Sequence, residues 1–295
     1  MKATGTTFLA GGTRVTRFPA RRRGVGADFP RGGRAASRSM GRKSRPCGIV
    51  IPRISGETDQ MRKAKRTASS RTREPQYQRS VELARNDGLT TLGLMSNQEW
   101  IDDPRHMVFT LVRYKFVAKM LAGCRHVLEV GCADAFGTRL VLQEVSRLTA
   151  TDFDKVFVDD VLRRMDRRWK FECRQHDMLE GAFPGSFDAA YALDVVEHIP
   201  VEKELIFVEN IVRSLTPEGI LILGSPSLES QRYASPPSKA GHVNCKTGET
   251  MRGLLRQFFH NVFIFSMNDE VVHTGFTPMA HYLFGIGCTR KALAR

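Results

Sequence analysis

Residues 126–141 read HVLEVGCADAFGTRLV, and this stretch decides the fold. An apolar run ends in Glu129-Val130-Gly131, small residues follow, and an amphipathic segment then begins. Small residues belong where a backbone turns sharply at a strand tip and passes close to a ligand. Asp152 lies 21 residues beyond Gly131, at the end of the next strand-like run. An acidic group about 20 residues on, at a second strand tip, is placed to accept hydrogen bonds from ribose hydroxyls.

Working outward, strand-like runs occur at 126–130, 148–152, 169–173, 187–192 and 220–224. Helical spacing occurs between them at 138–145, 155–168 and 201–215, and ahead of them at 107–121. Strands alternating with helices predict an α/β, doubly wound, mostly parallel sheet. After residue 224 the pattern changes to a helix near 250–259 and two strands at 262–267 and 279–288. Their connection, 268–278, is too short for a crossover helix, so these two strands are expected to be antiparallel neighbours.

Several short motifs fall in order along this frame. They are Glu129-Val130-Gly131-Cys132, Asp152, Asp177-Met178, Phe187-Asp188 with Asp194 and Glu197-His198, and Leu215-Thr216-Pro217-Glu218-Gly219 before a strand. This series resembles the class I S-adenosylmethionine-dependent methyltransferases over residues 107–288, in particular a small-molecule branch like the ubiquinone-biosynthesis O-methyltransferases. The resemblance implies a Rossmann-like sheet of seven strands with an antiparallel final strand, and S-adenosyl-L-methionine as cofactor. It implies that Glu129 and Gly131 border the methionine part, that Asp152 binds the ribose hydroxyls with Phe153 close to the adenine, and that Asp177 meets the adenine amino group. It further implies that Met178 packs on the ring and that Asp194 lies beside the methyl group. One departure stands out. The family usually has Gly-x-Gly-x-Gly, whereas this chain has Gly131-Cys132-Ala133-Asp134-Ala135. Ala133 and Ala135 add methyl groups and penalise positive φ, and Gly137 restores room. Ala133 and Gly137 are counted with the cofactor loop.

Asp194, Glu197 and His198 stand at i, i+3 and i+4, on one face if the segment is helical. In the ubiquinone-biosynthesis enzymes a similar run is associated with a divalent metal, and two carboxylates with an imidazole can hold Mg²⁺ or Mn²⁺. The same residues also serve metal-free members by orienting the turn. The expectation is therefore no metal and little effect of chelator. Asp194, His198 and His242 are the candidate bases. His242 follows a polar loop, 225–240, beyond the fifth strand; its alternative role is to anchor the next helix. His273 reads as a solvated turn residue. Arg113-Tyr114 can reach the cofactor carboxylate, with helix-surface packing the stronger reading.

Charge separates the competing functions. The chain has 295 residues and a formal charge of +14, but residues 1–75 hold 19 Lys+Arg against 4 Asp+Glu, and residues 76–295 hold 26 against 27. The domain, 76–295, is thus close to neutral and lacks the basic face that binding to nucleic acid requires. The acceptor is expected to be a small molecule methylated at oxygen. An exocyclic base amine usually calls for Asn/Asp-Pro-Pro-aromatic after the fourth strand, where this chain has Leu193-Asp194-Val195-Val196. An RNA methyltransferase using the basic tail, a non-catalytic binding module and a dehydrogenase are the alternatives. The last lacks a full Gly-x-Gly-x-x-Gly. Residues 1–75 read as a disordered basic extension, rich in Gly, Arg and Ser. A nucleic-acid or lipid tail, a transit peptide, and a start at Met40 or Met61 compete for it, and the last is preferred. Deleting residues 1–60 is expected to leave the melting curve and methyl transfer unchanged; a truncated chain that cannot fold would refute this. No apolar run approaches the roughly 18 residues of a membrane span. The six cysteines include no C-x-x-C pair and suit a reducing, cytoplasmic setting.

Overall fold

The computed structural model describes residues 71–293. The expectations for the basic extension and its start sites lie outside these residues. Three helices come first: α1 (Gln78–Asn86), α2 (Leu94–Asp102) and α3 (Pro104–Met120). Pro104 opens α3, where its missing N–H costs nothing, and Asp103 caps the helix by accepting from the Arg105 N–H.

Then comes the alternation. β1 (His126–Val130), α4 (Thr138–Leu142), β2 (Arg147–Asp152), α5 (Lys155–Arg164), β3 (Glu172–Gln175) and β4 (Phe187–Leu193) lead to α6 (Glu204–Arg213) and the long β5 (Leu215–Pro226). The chain continues through α7 (Pro236–Gly241) and α8 (Gly248–Arg256) to β6 (Phe259–Asn268), β7 (Val271–His273) and β8 (Tyr282–Arg290). The sheet order is β3-β2-β1-β4-β5-β8-β6-β7. The first five strands in that order pair parallel, and β8 runs antiparallel to both β5 and β6.

Both faces of the sheet are covered, as helical crossovers demand. Alternate residues of one strand feed opposite cores. Val127 packs with Tyr114 and Val117 of α3, with Leu121 just after it and with Val158 of α5, while Leu128 packs with Phe207, Val208 and Ile211 of α6 and Met251 of α8. Parallel strands that begin at one end of the sheet finish together at the other. The carboxyl ends of β3, β2, β1 and β4 therefore lie side by side, and this row of tips is where the turns carrying Asp177, Asp152, Gly131 and Asp194 meet.

Three expectations need correction. The third strand is Glu172–Gln175, not 169–173. β3 is an edge strand whose start is set by pairing with Thr149 of β2, not by apolar residues, and Arg174 and Gln175 are exposed. The helix expected at 155–168 stops at Arg164 because Asp166 turns the chain, its carboxylate accepting from the Arg168 N–H at 2.8 Å. The sheet has one strand more than seven: β7 folds back on β6 and extends the edge within the connection read as a loop.

Candidate active site

The turn after β1 is built from backbone strain. Gly131 has φ 74°, Ala133 φ 44° and Ala135 φ 53°. The two alanines thus occupy the left-handed region in which glycine is the usual residue, each at a cost of about 1–2 kcal/mol. The loop keeps the shape that a glycine-rich turn would have. The strain is offset by tight anchoring. The N–H groups of Gly131 and Cys132 bond the Thr151 carbonyl at 2.8 and 3.0 Å, and the Ala133 N–H bonds Asp152 Oδ2 at 2.8 Å. Asp134 accepts from the Ser96 N–H at 2.7 Å, which fastens α2 over the loop. Two positions allow no side chain. A Cβ on Gly131 would come within 2.4 Å of Val195, and one on Gly137 within 2.3 Å of the Tyr114 ring.

Glu129 lies beneath this turn. The family resemblance implies a place beside the methionine part of the cofactor, but Glu129 is 1% exposed, and its carboxylate accepts from Tyr114 Oη at 2.8 Å and Thr138 Oγ1 at 2.7 Å. Both oxygens are bonded inside the protein and no face of the carboxylate is open, so it braces the loop. Burial pushes its pKa up to about 7, against the opposing pull of the hydroxyl donors. Tyr114 is accordingly part of the site's foundation and not helix-surface packing.

Asp152 accepts from the Ala133 and Asp154 N–H groups, one on each oxygen, and burial raises its pKa. A carboxylate has about four lone-pair sites, so acceptor capacity remains. The helix cap that could have explained Asp152 is supplied instead by Asp154, which accepts from the Val156 N–H. Beside it Phe153 is 68% exposed and offers an apolar face. Asp177 is half-buried and already accepts from the Leu179 N–H at 2.8 Å. Met178 is a correction. It is 2% exposed among Phe183, Phe187 and Phe207 and presents no open face to a ring.

The tip of β4 holds an ion pair that the sequence did not reveal. Asp194 has φ 57°, and Arg113 Nη1 reaches both of its oxygens, at 2.8 and 2.9 Å. The guanidinium also lies 4.1 Å from the centre of the Tyr282 ring. Arg113 thus fixes the orientation of the Asp194 carboxylate. Near this pair, His106 and Glu99 meet at 3.0 Å, and that contact raises the histidine pKa. Both lie in the first helices, ahead of every motif, and nothing in the sequence marked them.

The run 194–198 is not a helix. Asp194 turns away, and a single 3₁₀ turn, Val196–His198, buries Glu197 completely while leaving His198 exposed. Asp194, Glu197 and His198 therefore do not share a face. Instead His242, from the loop after α7, comes beside His198 with ring centres 5.1 Å apart. The Val243 and Asn244 N–H groups both donate to the Glu197 carbonyl, at 2.8 and 2.9 Å, and this joins the two segments. Burial first, then the neighbouring His198, lowers the His242 pKa, so it is neutral and able to accept a proton near pH 7. His273 sits in the β6–β7 hairpin, bonded to Asn268 and to the Gly275 N–H, away from this group. A cavity of about 910 Å³ lies elsewhere, between the segment 86–94 and the arginine-rich end of α5.

Residues 128–223 match the family model described as a methyltransferase domain. The match runs from β1 through most of β5 and includes every strand tip just described. This chain carries a class I S-adenosylmethionine-dependent methyltransferase domain. Among curated relatives, a Mycolicibacterium smegmatis protein named a "probable S-adenosylmethionine-dependent methyltransferase" is 30% identical over 139 residues, 47% of this chain and 49% of that protein. A Mycobacterium tuberculosis protein of the same description is 29% identical over 119 residues, 39% of this chain and 42% of its own length. The chain thus spans about half the length of the curated relatives it matches. The methyltransferase domain also shares its fold with a Thermotoga maritima protein named a SAM-dependent methyltransferase and possible histamine N-methyltransferase. The TM-score is 0.51 at 14% identity, covering 65% of this chain and 95% of that one. Among the described residues of this methyltransferase domain, no helix is long and apolar enough to cross a membrane.

The residues present fit S-adenosylmethionine. The loop after β1 keeps the left-handed turn despite its alanines, Asp152 has lone pairs to spare, and Phe153 is exposed next to it. Gly131, Ala133 and Gly137 shape the turn, and Asp152 presents spare acceptor capacity beside it.

Proposed function

We propose that this chain transfers the methyl group of S-adenosylmethionine to an oxygen of a small, partly apolar acceptor. The observation that carries this reading is the cluster of Glu197, His198 and His242 beside the β4 tip. On this reading these groups handle the acceptor's proton beside the reacting end of the cofactor. The sulfonium methyl is already activated when the cofactor binds, so the protein chiefly has to align the acceptor and take its proton. Asp194, held by Arg113, shapes the tip of β4. Neutral His242 and the adjacent His198 are the groups free to handle the proton. Tyr233, Val243, Phe276 and Met279 are all strongly exposed around the loop that carries His242. Gln231, two residues before Tyr233, bonds His242, and the turns Glu229–Tyr233 and Thr277–Met279 contact each other. That rim suits an acceptor with apolar or aromatic surface. The domain's near-neutral charge supports a small molecule over nucleic acid.

The test is methyl transfer by the full chain to a panel of phenols and other hydroxylated compounds, read as product mass. Cofactor binding is measured separately by calorimetry with S-adenosylhomocysteine. Asp152→Ala is expected to weaken that binding at least tenfold. It removes both the ribose acceptor, a charge-assisted partner, and the anchor of the Ala133 N–H. No heat with the intact chain would sink the proposal, and methylation confined to amines would overturn the oxygen assignment.

A further inference from the structure

Glu197 is buried completely, and neither carboxylate oxygen has a hydrogen-bond partner from another described residue. A buried polar group left bare bears its full desolvation penalty. Such an orphan points to a ligand when other donors converge on it. Here they do. Glu197, His198 and His242 each offer one ligand atom, and the three atoms lie within 4.8 Å of one another.

The two histidines are set in one tautomer from behind. His198 Nδ1 lies 2.9 Å from the Gly241 carbonyl, and His242 Nδ1 lies 2.9 Å from Gln231 Oε1. The Gln231 amide nitrogen is turned the other way, toward the Ser227 carbonyl at 3.3 Å, which fixes its oxygen on His242. A carbonyl oxygen only accepts, so each Nδ1 carries the proton and each Nε2 keeps its lone pair. Imidazoles that bind metals are held in this way, the second N–H donated to a carbonyl or carboxylate. Asp194 is not among the converging atoms and is held by Arg113 instead.

We propose that Glu197, His198 and His242 bind one divalent transition-metal cation, of the Zn²⁺, Co²⁺, Fe²⁺ or Mn²⁺ class. Two imidazoles select against Mg²⁺ and Ca²⁺, which take oxygen ligands. Metal–ligand bonds of about 2.0–2.2 Å place tetrahedral ligand atoms about 3.4 Å apart, so the cluster closes by about an ångström on binding. The exposed His198 is the side chain able to move. Three protein ligands leave at least one position over. Resting on the oxygen acceptor proposed above, a cation there would supply Lewis acidity to an acceptor hydroxyl, easing its deprotonation in place of the proton-accepting role given above to the metal-free imidazoles. This reading replaces the metal-free expectation drawn from the Asp194-x-x-Glu197-His198 spacing.

The full chain, treated with chelator and dialysed, is titrated with Co²⁺ and followed by visible absorption. The same samples are titrated with S-adenosylhomocysteine. One saturable Co²⁺ per chain is expected. His242→Ala and Glu197→Gln should each weaken it at least tenfold, while His260→Ala, at an exposed residue of β6, leaves it unchanged. Retained S-adenosylhomocysteine binding shows that the variants are folded. Two results overturn the metal site: a wild-type chain that binds S-adenosylhomocysteine but takes up no Co²⁺, and a His242→Ala chain that binds Co²⁺ as tightly as wild type. Loss of S-adenosylhomocysteine binding by the wild type overturns methyl transfer instead, and the cobalt titration still reads the metal site.

Discussion

Glu129→Gln is expected to raise stability by about 3 kcal/mol at pH 8 and to change it little near pH 4. Glu129 is buried at the foot of the β1 turn, and its pKa in the folded protein is about 7 against an ordinary 4.5. Below pH 4.5 the carboxyl is protonated in both folded and unfolded chains, so it contributes no pH dependence. Between pH 4.5 and 7 the unfolded chain releases the proton while the folded chain keeps it. The folded state then binds more protons, and stability falls as pH rises. The fall is complete above pH 7. A difference of about 2.5 units corresponds to about 3 kcal/mol. Glutamine cannot ionise, and its amide still meets the hydroxyls of Tyr114 and Thr138, which accept as well as donate. Urea unfolding across pH 4–8 checks this. Parallel wild-type and variant profiles would show that Glu129 stays ionised in the fold.

What could be read in the sequence depended on where each residue ended up. β1 begins and ends where its apolar run does, because it is covered on both faces and stopped by a glycine with φ 74°. Edge strands carry no such mark. β3 exposes Arg174 and Gln175, and β7 exposes Val271, so pairing alone defines them. The acidic groups at successive strand tips were legible as an ordered set because parallel strands finish in one row. The partners of those groups were not. Met178 follows Asp177 in the motif, yet its side chain turns into the core beside Phe183. Glu197 and His242 are 45 positions apart, and the bonds from Val243 and Asn244 to the Glu197 carbonyl, with that of His198 to the Gly241 carbonyl, bring them together. The helical spacing of Asp194, Glu197 and His198 suggested a shared face that the positive φ of Asp194 prevents.

Arg113→Ala is expected to cost about 3 kcal/mol and to impair methyl transfer, although Arg113 belongs to a helix outside every sequence motif. Its side chain is 12% exposed and holds Asp194, whose own side chain is 34% exposed. Removing one partner of a buried pair leaves an uncompensated charge, a loss of about 3–5 kcal/mol. The lower end applies because Asp194 keeps some contact with water. The variant also loses the guanidinium packed on Tyr282 and the group that orients Asp194 at the β4 tip. Charge and packing separate in a double variant. Arg113→Ala with Asp194→Asn removes the stranded charge, so it should be more stable than Arg113→Ala alone by 1 kcal/mol or so, a departure from additivity expected of residues in contact. Methyl transfer should stay low in both, since neither places a fixed carboxylate at the strand tip. Equal stabilities for the single and double variants would mean that the ion pair contributes nothing beyond its packing. Full turnover by Arg113→Ala would mean that the tip of β4 needs no orientation from α3.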